Sequence, residues 1–383
     1  MAYSFPYIIL LILFALCAFA YEYTDNKRKQ MCFTMIAIGG LFVFFAFRGY
    51  VYTDWMSYSQ GLKELEWADL LNIVDEKQTA VIHEPGFTLL CLICKSIINE
   101  YAFLVLVITT IDIALFLRFM HHWDVKNKPL ILMFFITFEG IVIMFNLLRN
   151  QIALFIFLNA LEYIHKRKPL QYFFLCTLAL CFQLSSVLFC ALDFFLNKKI
   201  NKWIYLGTFF ALFLFYISNI SITLTLIRLL GIEGILGDKA EFYTEILTSS
   251  RKFSPTGTIE KLSLALLVFC FYESLCKRDR QIFINSSLLY FFFYFVFAEF
   301  KEFSSRLAVL FIFSYWILWG EIIISLKIPN NRKILAILLF LYCSYVTFRG
   351  YPSPIQEYDN LLFGGKDQQE RLKILNKTYK DEL

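Results

Sequence analysis

LILMFFITFEGIVIMFNLLRNQIALFIFLNALEYI, Leu130 to Ile164, decides the fold. Two apolar runs, 130–148 and 151–164, meet at Arg149-Asn150-Gln151 with almost no connecting chain. A membrane crossing needs roughly 20 predominantly apolar residues. The stretch therefore reads as two successive spans joined by a charged, amide-bearing turn. The rest of the chain repeats this pattern. Hydrophobic residues make up 59% of 383, 45 of them phenylalanine, and mean hydropathy is +0.61, a balance no soluble domain has. The expected fold class is all-α, a polytopic transmembrane helical bundle.

Basic clusters orient it. Lys27-Arg28-Lys29, Lys126 with Lys128, Lys166-Arg167-Lys168, Lys198-Lys199 with Lys202, Lys277-Arg278 with Arg280, and Arg332-Lys333 all belong on the cytoplasmic side. The net charge of +5 thus serves topology and is no signal for nucleic acid. Spans satisfying this lie near 3–20, 31–47, 101–119, 130–148, 151–164, 203–220, 259–275, 281–298, 306–326 and 334–348. The first run ends in Tyr21-Glu22-Tyr23-Thr24, with no small-residue cleavage site, and reads as a span. Segment 170–196 begins and ends at cytoplasmic clusters, so it reads as a short hairpin with its apex near Gln183. The sum is about twelve crossings with both termini outside. Segment 84–98 upsets the parity if it crosses, so it is expected to be re-entrant or interfacial. Residues 1–348 then form a single integral membrane domain with outer loops 48–83, 221–258 and 299–305. Residues 349–383 form a polar C-terminal tail. No strong internal repeat is visible. Most of the ten cysteines sit in apolar runs and read as small core residues, and the Cys91/Cys94 pair has no second pair or nearby histidine to make a metal site.

This topology gathers polar residues on one face. Arg48 ends the second span, and Asp54 follows it. His83-Glu84-Pro85-Gly86 opens the re-entrant segment. Arg149 and Gln151 mark the turn, Gln183 the hairpin apex, and Glu299, Lys301, Glu302 and Arg306 flank the eleventh span. Each has a plain structural reading too. Arg48 can anchor a span end, Arg306 can pair with Glu302 one helical turn away, and Asp54 or Glu84 can cap a helix. His83 is an ordinary loop histidine. Arginine at an outer boundary nevertheless runs against the positive-inside bias. A guanidinium fork matches phosphate oxygens and stays charged. A lipid-linked sugar diphosphate presents such oxygens at this depth. Tyr50, Tyr52, Trp55, Tyr58 and Trp67 supply rings that stack on sugars, although interfacial aromatic belts are common.

At these residues the chain resembles the Wzy-like polysaccharide polymerases, in the EpsG-like branch. The matching pieces are Phe47-Arg48 with Asp54 and Tyr58, Glu84-Pro85-Gly86-Phe87, Arg149 with Gln151, the apolar hairpin, and Arg306, between about residues 30 and 330. The resemblance implies a GT-C-like membrane glycosyltransferase without cofactor or metal. It would transfer a growing glycan from undecaprenyl diphosphate to a sugar hydroxyl of the next lipid-linked unit. The place would be the outer side of the bacterial inner membrane, with a chain-length regulator as partner. In that picture Asp54, Glu84 and Glu302 are the catalytic carboxylates. Arg48, Arg149, Gln151, Gln183 and Arg306 bind diphosphate and sugar. One departure matters: the family commonly has histidine where Gln183 stands, and glutamine cannot take up a proton near neutral pH. A flippase for lipid-linked oligosaccharides, an O-antigen ligase or another GT-C glycosyltransferase are the alternatives. The terminal Lys380-Asp381-Glu382-Leu383 matches an ER-retention signal and reads as coincidence beside a bacterial-type resemblance.

Overall fold

In the computed structural model, residues 2–70, 84–218, 254–298 and 301–382 are described; the side chains of 301–303 and 379–382 are not. His83 and Glu299 lie outside the described residues. No strand element forms among them, and five helices are long and apolar enough to cross a membrane. They are Phe5–Glu22, Lys27–Ala46, Tyr101–His122, Lys128–Asn146 and Pro329–Gly350; Ser304–Phe311 with Phe313–Ser325, bent by 43°, makes a sixth. The polytopic helical bundle is thus as expected. The remaining apolar helices are shorter, and Lys202–Ile217 has 16 residues, about 24 Å of rise against a hydrocarbon core of about 30 Å.

The chain forms two compact units, Met1–Asp193 with Asn330–Leu383, and Phe194–Pro329. In the first, α1 (Phe5–Glu22) and α2 (Lys27–Ala46) pair as an antiparallel hairpin, and Asn26 caps α2 by accepting from the Arg28 and Lys29 amides. α3 (Asp54–Glu64) lies in the loop that follows α2. α4 (Pro85–Ile97) is the segment expected to be re-entrant or interfacial, and its 13 residues are too few to span. α5 (Tyr101–His122) is followed by a bent span, α6 (Lys128–Phe135) and α7 (Ile141–Asn146), interrupted by a wide turn over Ile136–Gly140. α8 (Leu148–His165) is buried on all sides from Gln151 to Leu161, as a helix that is apolar all round must be. Asn159 fixes it by donating to the Leu115 carbonyl of α5 at 2.9 Å.

The hairpin differs from its expected form. α9 (Pro169–Phe182) is one continuous arm, and the chain breaks at Gln183 as anticipated. The return arm is not a helix but short turns, Leu184–Ser186, Val187–Cys190 and Asp193–Leu196. The loop carbonyls of such a segment need partners. Tyr172 of α9 gives its hydroxyl to the Phe189 carbonyl, and the Phe157 ring stacks on Phe189 at 3.7 Å.

The tail is also more than a polar appendage. Beyond Pro329–Gly350 the chain folds back over the start of α1 and the end of α2. Gly49 N–H donates to Asp359 O, Tyr52 N–H to Ile355 O and Leu361 N–H to Phe47 O. The Tyr358 ring stacks on Phe44 at 4.0 Å and Tyr351 on Tyr7 at 4.0 Å. Arg371, buried on the final helix Gln368–Glu382, donates to the Glu357 carbonyl and pairs with the Glu357 and Asp359 carboxylates. The tail's polar composition therefore serves internal pairing.

In the second unit, the helices Lys202–Ile217, Pro255–Cys276, Gln281–Val296 and Phe313–Ser325 pack together. Glu321, buried near the end of the last, takes Arg280 at 2.8 Å and Arg278 at 3.1 Å. This basic cluster is thus an internal clamp as well as a topology signal.

Candidate active site

The end of the first unit where α8 begins brings together what the sequence scatters. Arg149 sits in the first turn of α8. Its Nη1 donates to Glu84 Oε2 at 2.6 Å and its Nε to the Tyr58 hydroxyl at 3.3 Å. Both guanidinium and carboxylate keep a minor share of exposed surface, 25% and 13%. Leu147, the residue capping α8, has no side chain that can bond the first-turn amides. An uncapped helix start carrying an arginine attracts anions through its backbone N–H groups and its dipole. Burial pushes the Tyr58 hydroxyl up to about 12, against the opposing pull of Arg149, so it stays protonated at neutral pH.

The position of Glu84 follows from Gly86. A Cβ there would stand 2.9 Å from the Cys181 carbonyl oxygen, so only glycine allows the start of α4 to press on the end of α9. That contact holds Glu84 beside Arg149 and the hairpin break beside both. Ser185 of the break donates to Asn150 Oδ1 at 3.4 Å. Gln183 closes α9, half-buried, its amide bonded to the Ala179 carbonyl. Asp54 opens α3, half-buried, its backbone N–H on Asn146 Oδ1 at 3.2 Å just ahead of α8.

Arg48 and Gln151 go elsewhere. Arg48 is 2% exposed, gives Nη1 to the Met144 carbonyl, and lies 5.0 Å over the Phe145 ring. Tyr101 and Asp112 act on it electrostatically. Gln151 is fully buried, on the side of Asp112. Arg48, Asp112 and Gln151 are thus all buried, and among the described residues neither the Asp112 carboxylate nor the Gln151 side-chain amide has a hydrogen-bond partner. Arg306 is exposed on Lys301–Ala308 in the second unit, and Glu302 precedes it there by one turn.

Three residues escaped sequence reasoning. Asp112 lies in the apolar run 101–119, and a carboxylate inside a span was the signal. Glu139 carried the same signal within the stretch that decides the fold. Lys261 of the second unit is buried, 4.0 Å over the Tyr294 ring and 3.7 Å from Glu260. Among the described residues no group of three histidine, cysteine, aspartate or glutamate side chains gathers to hold a metal ion.

No curated protein and no solved structure matches the chain. The model of the EpsG family matches it over residues 31–360, from within α2 to Asn360, which bridges to Arg48, and the chain belongs to the EpsG family.

Proposed function

We propose that this protein polymerises lipid-linked oligosaccharide repeat units, transferring the growing glycan from undecaprenyl diphosphate to a sugar hydroxyl of the next unit. The reaction takes place on the outer side of the bacterial inner membrane. Membership of the EpsG family points to polysaccharide biosynthesis in a membrane. The observation that carries the finer reading is the Arg149–Glu84–Tyr58 constellation at the uncapped start of α8.

The leaving group is a diphosphate, which needs its charge neutralised more than it needs a proton. Arg149 and the first-turn amides of α8 receive it. Its oxygens replace Glu84 on the guanidinium, so Glu84 acts as a stand-in anion that holds Arg149 ready in the empty site. Tyr58 donates its hydroxyl to the same group. Arg48, locked beneath Phe145, sets the outer loop and adds positive potential without touching the donor. Gln183, Ser185 and Asn150 offer hydrogen bonds to sugar hydroxyls, and Asp54 orients the acceptor. Gln151, fully buried, remains proposed as a ligand for diphosphate or sugar. Arg306 and Glu302 remain proposed as a further diphosphate ligand and a further carboxylate.

The test is polymer length in a cell that carries the native pathway but lacks this gene. Wild type restores a glycan ladder. Arg149→Ala at equal membrane level leaves single lipid-linked repeats. Arg149→Lys, which keeps the charge and loses the fork, lowers turnover at least tenfold. Full ladders from the lysine variant refute bidentate recognition, and absence of a ladder from wild type refutes polymerisation.

A further inference from the structure

A polar tail beyond the last span keeps its large apolar side chains inside. Tyr351 and Leu375 are buried, and Ile355, Tyr358, Leu372 and Ile374 are half-buried. Three consecutive residues break the pattern. Leu361, Leu362 and Phe363, one tight helical turn, are 40%, 54% and 81% exposed. A lone exposed hydrophobe is ordinary, and a contiguous group is the informative case.

The turn is firmly held. Asn360 caps it, Oδ1 accepting from the Leu362 amide at 3.0 Å. Asn360 Nδ2 donates to the Val43 carbonyl at 3.0 Å and to the Tyr358 hydroxyl at 2.7 Å. The Tyr358 hydroxyl donates to the Phe44 carbonyl at 2.9 Å, and the Leu361 amide to the Phe47 carbonyl at 2.8 Å. These three carbonyls lie at the end of α2, where a helix leaves its last carbonyls without partners of its own. Gly364, left-handed at φ 80°, ends the turn, and the Lys366 amide returns to Asp359 Oδ2 at 2.7 Å. Residues 359–366 thus make a closed loop with three apolar side chains at its tip. Its two charged side chains between 359 and 366 are answered within the tail, Asp359 by Arg371 and Lys366 by Glu357.

The level of the tip follows from α2. Its 20 residues rise about 30 Å, the thickness of a bilayer's hydrocarbon core. Lys27-Arg28-Lys29 opens the helix and stays at one boundary. Ala46, and the turn bonded beside it, then fall at the opposite boundary. Along α2, Met31, Met35, Ile36 and Val43 are exposed, the surface that a membrane helix shows to lipid. Val43 ends that strip, and its carbonyl is one that Asn360 takes.

We propose that Leu361, Leu362 and Phe363 form an interfacial anchor that enters the phospholipid headgroup–acyl boundary beside the end of α2. Phospholipid is the partner because the tip continues the lipid-facing strip of α2 and carries no charge. Leucine and phenylalanine are also residues with which interfacial segments enter that boundary. The anchor gives the tail its own hold on the bilayer. Through the Gly49 bond to Asp359 and the Tyr52 bond to Ile355, it also fixes the depth of the loop that leads to Asp54. It is independent of the reaction catalysed.

The experiment places the photoreactive residue p-benzoylphenylalanine at Phe363 of the full chain, reconstituted in vesicles of phosphatidylethanolamine and phosphatidylglycerol. The same residue at exposed Ile36 of α2 gives the yield of a lipid-facing position, and at exposed Gln369 of the final helix that of a polar one. After irradiation, intact mass reports what each position has captured. Position 363 is expected to gain the mass of one phospholipid with a yield about tenfold above position 369 and close to position 36. These vesicles hold no isoprenoid lipid, so the adduct mass reports bilayer phospholipid and not a lipid-linked substrate. The side chain at 363 is already largely exposed, so the variant is expected to unfold at the wild-type temperature. A second substitution at Leu362 is expected to give the same adduct. Phospholipid yields at 362 and 363 no higher than at 369 overturn the anchor. Chain-to-chain products from 363 overturn it in favour of a second copy of the protein. Crosslinks from 363 to another segment of the same chain overturn it in favour of an internal cover.

Discussion

At the scale of residues, the two arginines that looked alike in sequence have opposite environments. Arg149 is partly open and held by an exchangeable carboxylate, whereas Arg48 is sealed against the Met144 carbonyl and the Phe145 ring. Removing the guanidinium leaves a buried carbonyl without its donor, at a cost of about 1–3 kcal/mol. Arg48→Met is therefore expected to lower the unfolding temperature in detergent, and an unchanged temperature shows that the buried guanidinium holds nothing in place. Glu84→Gln behaves differently. Its pair is near the surface and the loss is about 1 kcal/mol, while the empty site loses its stand-in anion.

At the scale of elements, two close approaches hold the site together. Gly86 lets α4 meet α9, and Gly49 lets the loop after α2 meet Asp359 of the tail, where a Cβ would stand 3.1 Å from a carboxylate oxygen. Gly86→Ala must move the Cys181 carbonyl or the start of α4. It is expected to weaken ladder formation at least tenfold with a modest stability loss, since Glu84 shifts off Arg149. An unchanged ladder means the contact does not set the site. Deleting residues 351–383 removes the backbone bonds to Gly49 and Tyr52 and uncovers the Phe44 and Tyr7 rings. That variant should unfold at a clearly lower temperature and make no polymer. A fully active truncation shows that the tail only covers the bundle.

At the scale of the whole molecule, the charge pattern predicts which end faces which compartment. In a Cys32→Ser, Cys270→Ser background, cysteine at exposed Gln60 should react with a membrane-impermeant maleimide in intact spheroplasts. Cysteine at exposed Lys126 should react only after permeabilisation. Reversed labelling inverts the topology and moves the Arg149 constellation to the cytoplasmic side, which removes lipid-linked repeats exported to the outer face as its substrate.

The sequence by itself determined the helical class and the membrane. These follow from composition and local spacing, in apolar runs long enough to cross. It also located the break at Gln183 and the short segment beginning at Pro85. Only the tertiary structure decided which polar residues meet. Glu84 reaches Arg149 and Arg48 turns inward to Met144 and Phe145 because helices distant in sequence pack side by side, and no periodicity encodes that pairing. The return arm of the hairpin breaks into short turns where the Phe189 carbonyl finds the Tyr172 hydroxyl of α9 and its ring stacks on Phe157 of α8, and the tail docked because its charges answer one another. Glu139 was visible as a letter in the opening stretch. Its left-handed backbone and open face exist only once the surrounding helices enclose everything else in that span.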